Sequence, residues 1–134
     1  MSLNLINHLP VDKHDTARAE ALVALGYPAI SPVLPDLLEC IQDGNWPVAR
    51  VILPFLKNVG APLASHVRTI FQGNDDTWKY FVLYFLVGEC KELATELVVD
   101  LKRLVNCPTA REVGEELDIG AKEILDKFSL NTVT

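Results

Sequence analysis

The chain has 134 residues, 49% of them hydrophobic and 22% charged, a balance that fits one globular domain over residues 1–134 and excludes a disordered or fibrous chain. A formal net charge of −6 disfavours a phosphate-tracking surface, so no nucleic-acid partner is expected and a basic protein or peptide suits the chain better. Three cysteines, Cys40, Cys90 and Cys107, show no CxxC spacing; this argues against a disulfide framework and fits a reduced, cytoplasmic chain in which each is a small core residue.

Met1 to Pro10 contain no Lys or Arg and no apolar run of signal-sequence length, and residues 1–14 read as a lead-in. A short helix is predicted over Ala17 to Leu25, behind Asp15 and ended by Gly26. Val33, Leu34, Leu37, Leu38 and Ile41 form an apolar stripe between Ser31 and Asp43, which predicts one amphipathic helix with Ser31 as N-cap, Pro32 at its first position and Gly44 at its end. Val48 to Val59 repeats the pattern, with a kink predicted at Pro54, whose missing N–H cannot reach the carbonyl of Arg50.

Leu63 to Phe71 gives another amphipathic helix before Gly73. Trp78 to Val87 is apolar almost all round and predicts a central, covered helix too short to cross a membrane, so no membrane partner is expected. Leu93 to Val105 predicts one further helix before Asn106. Pro108 to Thr134 is more charged and reads as a capping helix pair over residues 108–130, broken near Asp118 to Gly120, with the final residues frayed. No stretch alternates with period two for long, so the fold class is all-α.

The segments are self-similar. Gly26-Tyr27-Pro28 lines up with Gly60-Ala61-Pro62, 34 residues further on, and Asp43-Gly44-Asn45-Trp46 lines up with Asp75-Asp76-Thr77-Trp78, 32 further on. A period in the low thirties suits stacked helix pairs. Over Asp15 to Val105 this unit resembles a short HEAT-like repeat; the aromatic and proline spacing of TPR units is not met. The resemblance implies a short right-handed solenoid of antiparallel helix pairs, about three repeats long, with a C-terminal cap. Leu9-Pro10-Val11-Asp12-Lys13-His14-Asp15 and Asp43-Gly44-Asn45-Trp46-Pro47-Val48-Ala49-Arg50 together resemble an uncharacterised family of bacterial single-domain proteins with no assigned activity.

No phosphate loop, GxGxxG, GxSxG, HExxH or paired-cysteine motif occurs, and His8, His14 and His66 lack metal-ligand spacing, so neither cofactor nor metal is expected. The expected binding residues are Asp12, His14, Asn45, Trp46, Arg50, Trp78 and Lys79. The repeat places both indoles just after an acidic turn, where equivalent positions form a ladder, and Trp and Arg dominate interface hot spots. The leading expectation is protein or peptide binding through one face of the scaffold. An alternative is a small hydrolase or transferase in which Asp12 orients His14 for proton transfer, although nothing supplies a nucleophile. A third is a toxin-neutralising immunity protein, which small size and acidity suit.

Overall fold

A computed structural model of the chain describes residues 5–131. Among these residues there are nine α-helices and no strand, and no helix is long and apolar enough to cross a membrane. Expectations for Met1 to Asn4 and for the last three residues fall outside the described residues.

The chain opens with a 3-10 turn, Leu5–His8, and then forms α1, Thr16–Leu25. Asp15 caps α1 through its side chain, and Gly26 ends it with φ 72°, a conformation that glycine adopts without steric cost. The helix expected from Ser31 to Asp43 is shorter than its stripe. Ser31–Val33 is a 3-10 turn, and α2 covers only Leu34–Glu39. The reason is Pro35, which has no N–H to return to the Ser31 carbonyl; Leu34 N–H serves that carbonyl in a tighter turn instead. Ser31 makes no capping bond. Nor does Gly44 terminate a helix: it lies in the following turn, where a β-carbon would sit 2.7 Å from Cδ1 of Phe81.

Helix α3, Pro47–Val59, runs through Pro54, whose ring is on the exposed side, and ends at Gly60. A second proline-bearing 3-10 turn, Ala61–Leu63, leads into α4, Ala64–Phe71. Ser31–Val33 is also a proline-bearing 3-10 turn, but it starts five residues after Gly26 whereas Ala61 follows Gly60 directly, so the 34-residue register suggested by the two glycines does not continue past them. Helix α5 is Asp76–Phe85, followed by a 3-10 turn at Val87–Glu89. Its central burial is realised on one side only: Val82, Leu83, Leu86 and Val87 are fully buried, whereas Tyr80 and Tyr84 are half-buried and Phe85 is exposed.

The helix expected over Leu93 to Val105 is two, α6 Lys91–Glu96 and α7 Val98–Asn106, with buried Leu97 between them at φ −110° and ψ 16°. The break follows Thr95, whose hydroxyl bonds back to the Lys91 carbonyl, and precedes two β-branched valines, both unfavourable to a continuing helix. The C-terminal pair is α8, Ala110–Gly114, and α9, Leu117–Lys127. Its break lies at Glu115 and left-handed Glu116, not near Asp118 to Gly120. Gly120 is inside α9 for a packing reason: a β-carbon there would lie 2.5 Å from Tyr84 Cζ, and the Tyr84 hydroxyl donates to the Glu116 carbonyl at 2.6 Å.

One apolar core runs the length of the described chain, from Leu22 and Leu37 through Ile52, Leu56, Leu63 and Leu83 to Leu97, Leu104 and Leu125. Helix α1 packs on α3, α4 on α5, α5 on α9 and α7 on α9, while α6 packs on the Ala61–Leu63 turn. Of the three free cysteines, Cys90 is buried and Cys40 half-buried, but Cys107 is exposed and is not a core residue.

Candidate functional site

Two side chains fasten the lead-in. Asp15 accepts from Arg18 N–H at 3.3 Å with one carboxylate oxygen and from Val11 N–H at 3.0 Å with the other. The Arg18 guanidinium donates to the carbonyls of Asn7 and Leu9. A main-chain bond then ties the lead-in to α3: Val48 N–H donates to the Lys13 carbonyl at 3.1 Å. Pro47 at the first position of α3 has no N–H, so Val48 brings the first free donor of that helix, and Lys13 satisfies it.

The Leu9 to Asp15 and Asp43 to Arg50 segments thereby meet across a cleft of about 290 Å³. Its apolar lining is Leu9, Pro10, Cys40, Trp46 and Val48, and its charged lining is Asp12, Lys13, Asp36 and Glu39. Among the described residues, none of these three carboxylates enters an ion pair, and the Trp46 indole N–H has no hydrogen-bond partner. Burial, and then the charges of Glu39 and Asp36, push the Cys40 thiol up to about 11, so it stays protonated at neutral pH.

A second cleft, of about 310 Å³, adjoins the first through Glu39, which lines both. Trp78 lines it with Pro35, Leu38, His66, Thr69 and Ile70. Here the indole is anchored, since its Nε1–H donates to the Leu38 carbonyl at 3.0 Å.

Trp46 and Trp78 thus flank the end of α2 from different positions. Trp46 is the residue before α3, whereas Asp75 holds that place before α5 and caps Trp78 N–H at 3.0 Å. The indoles are therefore not equivalent sites in successive units, because Pro47 starts α3 immediately after Trp46 while α5 starts two residues before Trp78. Asp12 joins Trp46 in the first cleft. His14 and Asn45 are exposed in turns and Arg50 is exposed on α3, and none of the three lines either cleft. Asp12 does not orient the His14 imidazole: its carboxylate accepts from the His14 main-chain N–H at 2.9 Å, an ordinary Asx turn.

Lys79 is not beside Trp78 on the surface but buried. Its Nζ lies 2.9 Å from Glu112 Oε2 and 3.2 Å from Asp76 Oδ1. Arg103 grips both Glu112 oxygens at 2.8 Å, Arg111 reaches Asp76 at 3.2 Å, and Glu112 Oε1 accepts from Thr109 N–H at 2.8 Å. The Arg103 bonds, followed by those of Lys79 and Thr109, overcome burial and hold the Glu112 carboxyl far below the usual carboxylate range. Clefts of about 440 and 610 Å³ border this network and share Asn74, Asp76 and Arg111. Each buried charge is matched from within the chain, which makes the network a joint between α5, α7 and α8. Sequence reasoning missed it, although Thr109-Ala110-Arg111-Glu112 carries a legible capping-box pattern.

A family model described as a domain of unknown function, DUF5071, matches residues 8–125. No curated protein matches the chain.

Proposed function

The chain belongs to the DUF5071 family, and from that premise we propose that it is a docking protein, a short HEAT-like scaffold that holds a partner polypeptide in the adjoining clefts beside α2. Recurrence supports the scaffold reading: proline-bearing 3-10 turns precede both α2 and α4, and α1 packs on α3, two α-helices further on. The observation that carries the docking reading is Trp46, half-buried in an open apolar cleft with its indole N–H unbonded among the described residues. An amphipathic ring so placed offers a partner both contact area and a hydrogen-bond donor. Docking is favoured over the hydrolase alternative because the Asp12 carboxylate is engaged by main chain rather than by the His14 imidazole.

Selection from a random peptide library displayed on phage tests this reading. Peptides enriched on the wild-type protein are expected to bind Trp46→Ala about thirtyfold more weakly. Equal binding of the selected peptides to wild type, Trp46→Ala and Trp78→Ala would refute docking at these clefts.

A further inference from the structure

The lining of the Trp46 cleft is asymmetric in charge, and that asymmetry selects among side chains a partner could insert. We infer that this cleft seats a cationic side chain, arginine or lysine, of the partner polypeptide, its charge held by Asp12, Asp36 and Glu39 and its methylenes laid along Trp46, Leu9 and Pro10. The inference rests on the docking reading and adds the chemistry of what docks.

Three carboxylates face one ammonium, that of Lys13, in the lining of a cleft otherwise built from apolar groups. Ion pairs elsewhere in the described chain take up Asp15, Asp76, Asp100, Glu112 and others, but not these three. Asp12 and Glu39 are exposed at the cleft edge and Asp36 is half-buried, so a cation entering beside the apolar lining meets carboxylates that no other group of the described chain neutralises. The indole adds attraction for a cation over its face, strongest for tryptophan among the aromatic residues. Both arginine and lysine carry an aliphatic stem that suits the apolar lining while the head stays at the charged edge. An anionic or purely apolar insert would leave the three carboxylates uncompensated. The net charge of −6 extends the preference beyond the cleft, since it draws basic chains toward the protein and repels acidic ones.

The test is an NMR titration of the full chain with the acetylated, amidated tripeptides Ala-Arg-Ala, Ala-Lys-Ala and Ala-norleucine-Ala. The Trp46 indole resonance is distinguished from that of Trp78 by the variant Trp46→Phe. Saturable movement of the Trp46 indole with both cationic peptides is expected, with the norleucine peptide roughly fivefold weaker or more. Asp36→Asn together with Glu39→Gln, both outside the core, should remove most of that difference without changing the melting temperature appreciably. Added salt should weaken only the cationic peptides. Equal affinity for norleucine, or cationic binding untouched by the double variant, overturns the cationic seat. If the tripeptides fail to move the Trp46 resonance but library-selected peptides do, the seat is wrong and docking stands. If neither kind of peptide moves it, both readings fall.

Discussion

Lys79 Nζ lies 2.9 Å from Glu112 Oε2, a contact between residues 33 apart in sequence, with both side chains almost completely removed from solvent. Buried charges cost several kcal/mol to desolvate, and that cost is met here only while every partner is present. Glu112→Gln leaves Lys79 and Arg103 short of their counter-charge and is expected to lower stability by about 3–5 kcal/mol, read from urea unfolding. Lys79→Met combined with Glu112→Leu should recover only part of the loss, since buried Asp76 then keeps Arg111 alone and the Arg103 and Thr109 donors lose their acceptor.

Acid should dissolve the same joint. The Glu112 carboxyl is depressed well below its ordinary 4.5. A depressed carboxyl stabilises the fold fully above its unfolded value and loses that contribution as pH falls through the range below it. Wild type is therefore expected to lose stability steadily from about pH 4.5 downward, whereas Glu112→Gln should show a flatter decline. Unfolding free energies of the two proteins, compared between neutral pH and about pH 3, check this. A wild-type slope no steeper than the variant's would contradict it.

The close approach of α9 to α5 predicts a different dependence. Gly120→Ala drives a methyl group against the Tyr84 ring and is expected to cost about 1–3 kcal/mol, despite alanine's better helix propensity. In a Tyr84→Leu background the same change should be neutral or stabilising. Thermal melts of the four proteins in this cycle give the coupling directly.

The two tryptophans should separate in stability as they do in environment. Trp78, on α5, lies beside residues of α2 and α4 and its indole bonds the Leu38 carbonyl, so Trp78→Ala is expected to cost about 3–5 kcal/mol. Trp46→Ala should cost no more than about half of that, because its indole N–H makes no hydrogen bond within the described residues whose loss would add to the packing cost. Melting of the single variants beside wild type decides it, and a larger loss at Trp46 would make that indole the structural one.

Helical periodicity alone identified an all-helical chain and located most of its helices, because stripes such as Val48, Ile52 and Leu56 leave little choice of buried face. The misreadings came where a local effect overrode the stripe. Pro35 withheld an N–H inside an apolar run, so α2 began late, and Leu97 continued a helical stripe across a break that periodicity does not register. Gly120 was read as a breaker although a ring in another helix explains it. Aligning Trp46 with Trp78 matched residue types but not helix positions, since the α3 and α5 starts differ. At the cleft, Asp12 and Trp46 were legible as a pair of interest, while Asp36, Glu39 and Cys40 read only as parts of an amphipathic helix. Lys79 was assigned to a surface on type, and its burial depends on Glu112 and Arg103, which only the tertiary arrangement brings within reach.

The Lys13 carbonyl that receives the Val48 N–H has a consequence for how this protein can be cut or transplanted. A fragment opening at Asp15 would retain every α-helix, yet the entrance to α3 would lose its acceptor and the receptacle around Trp46 would lose an entire wall. Recognition is consequently not portable with the helices alone: any chimera meant to inherit it must carry the preceding run of turns, and any insertion between Lys13 and Asp15 should erode fold and affinity together.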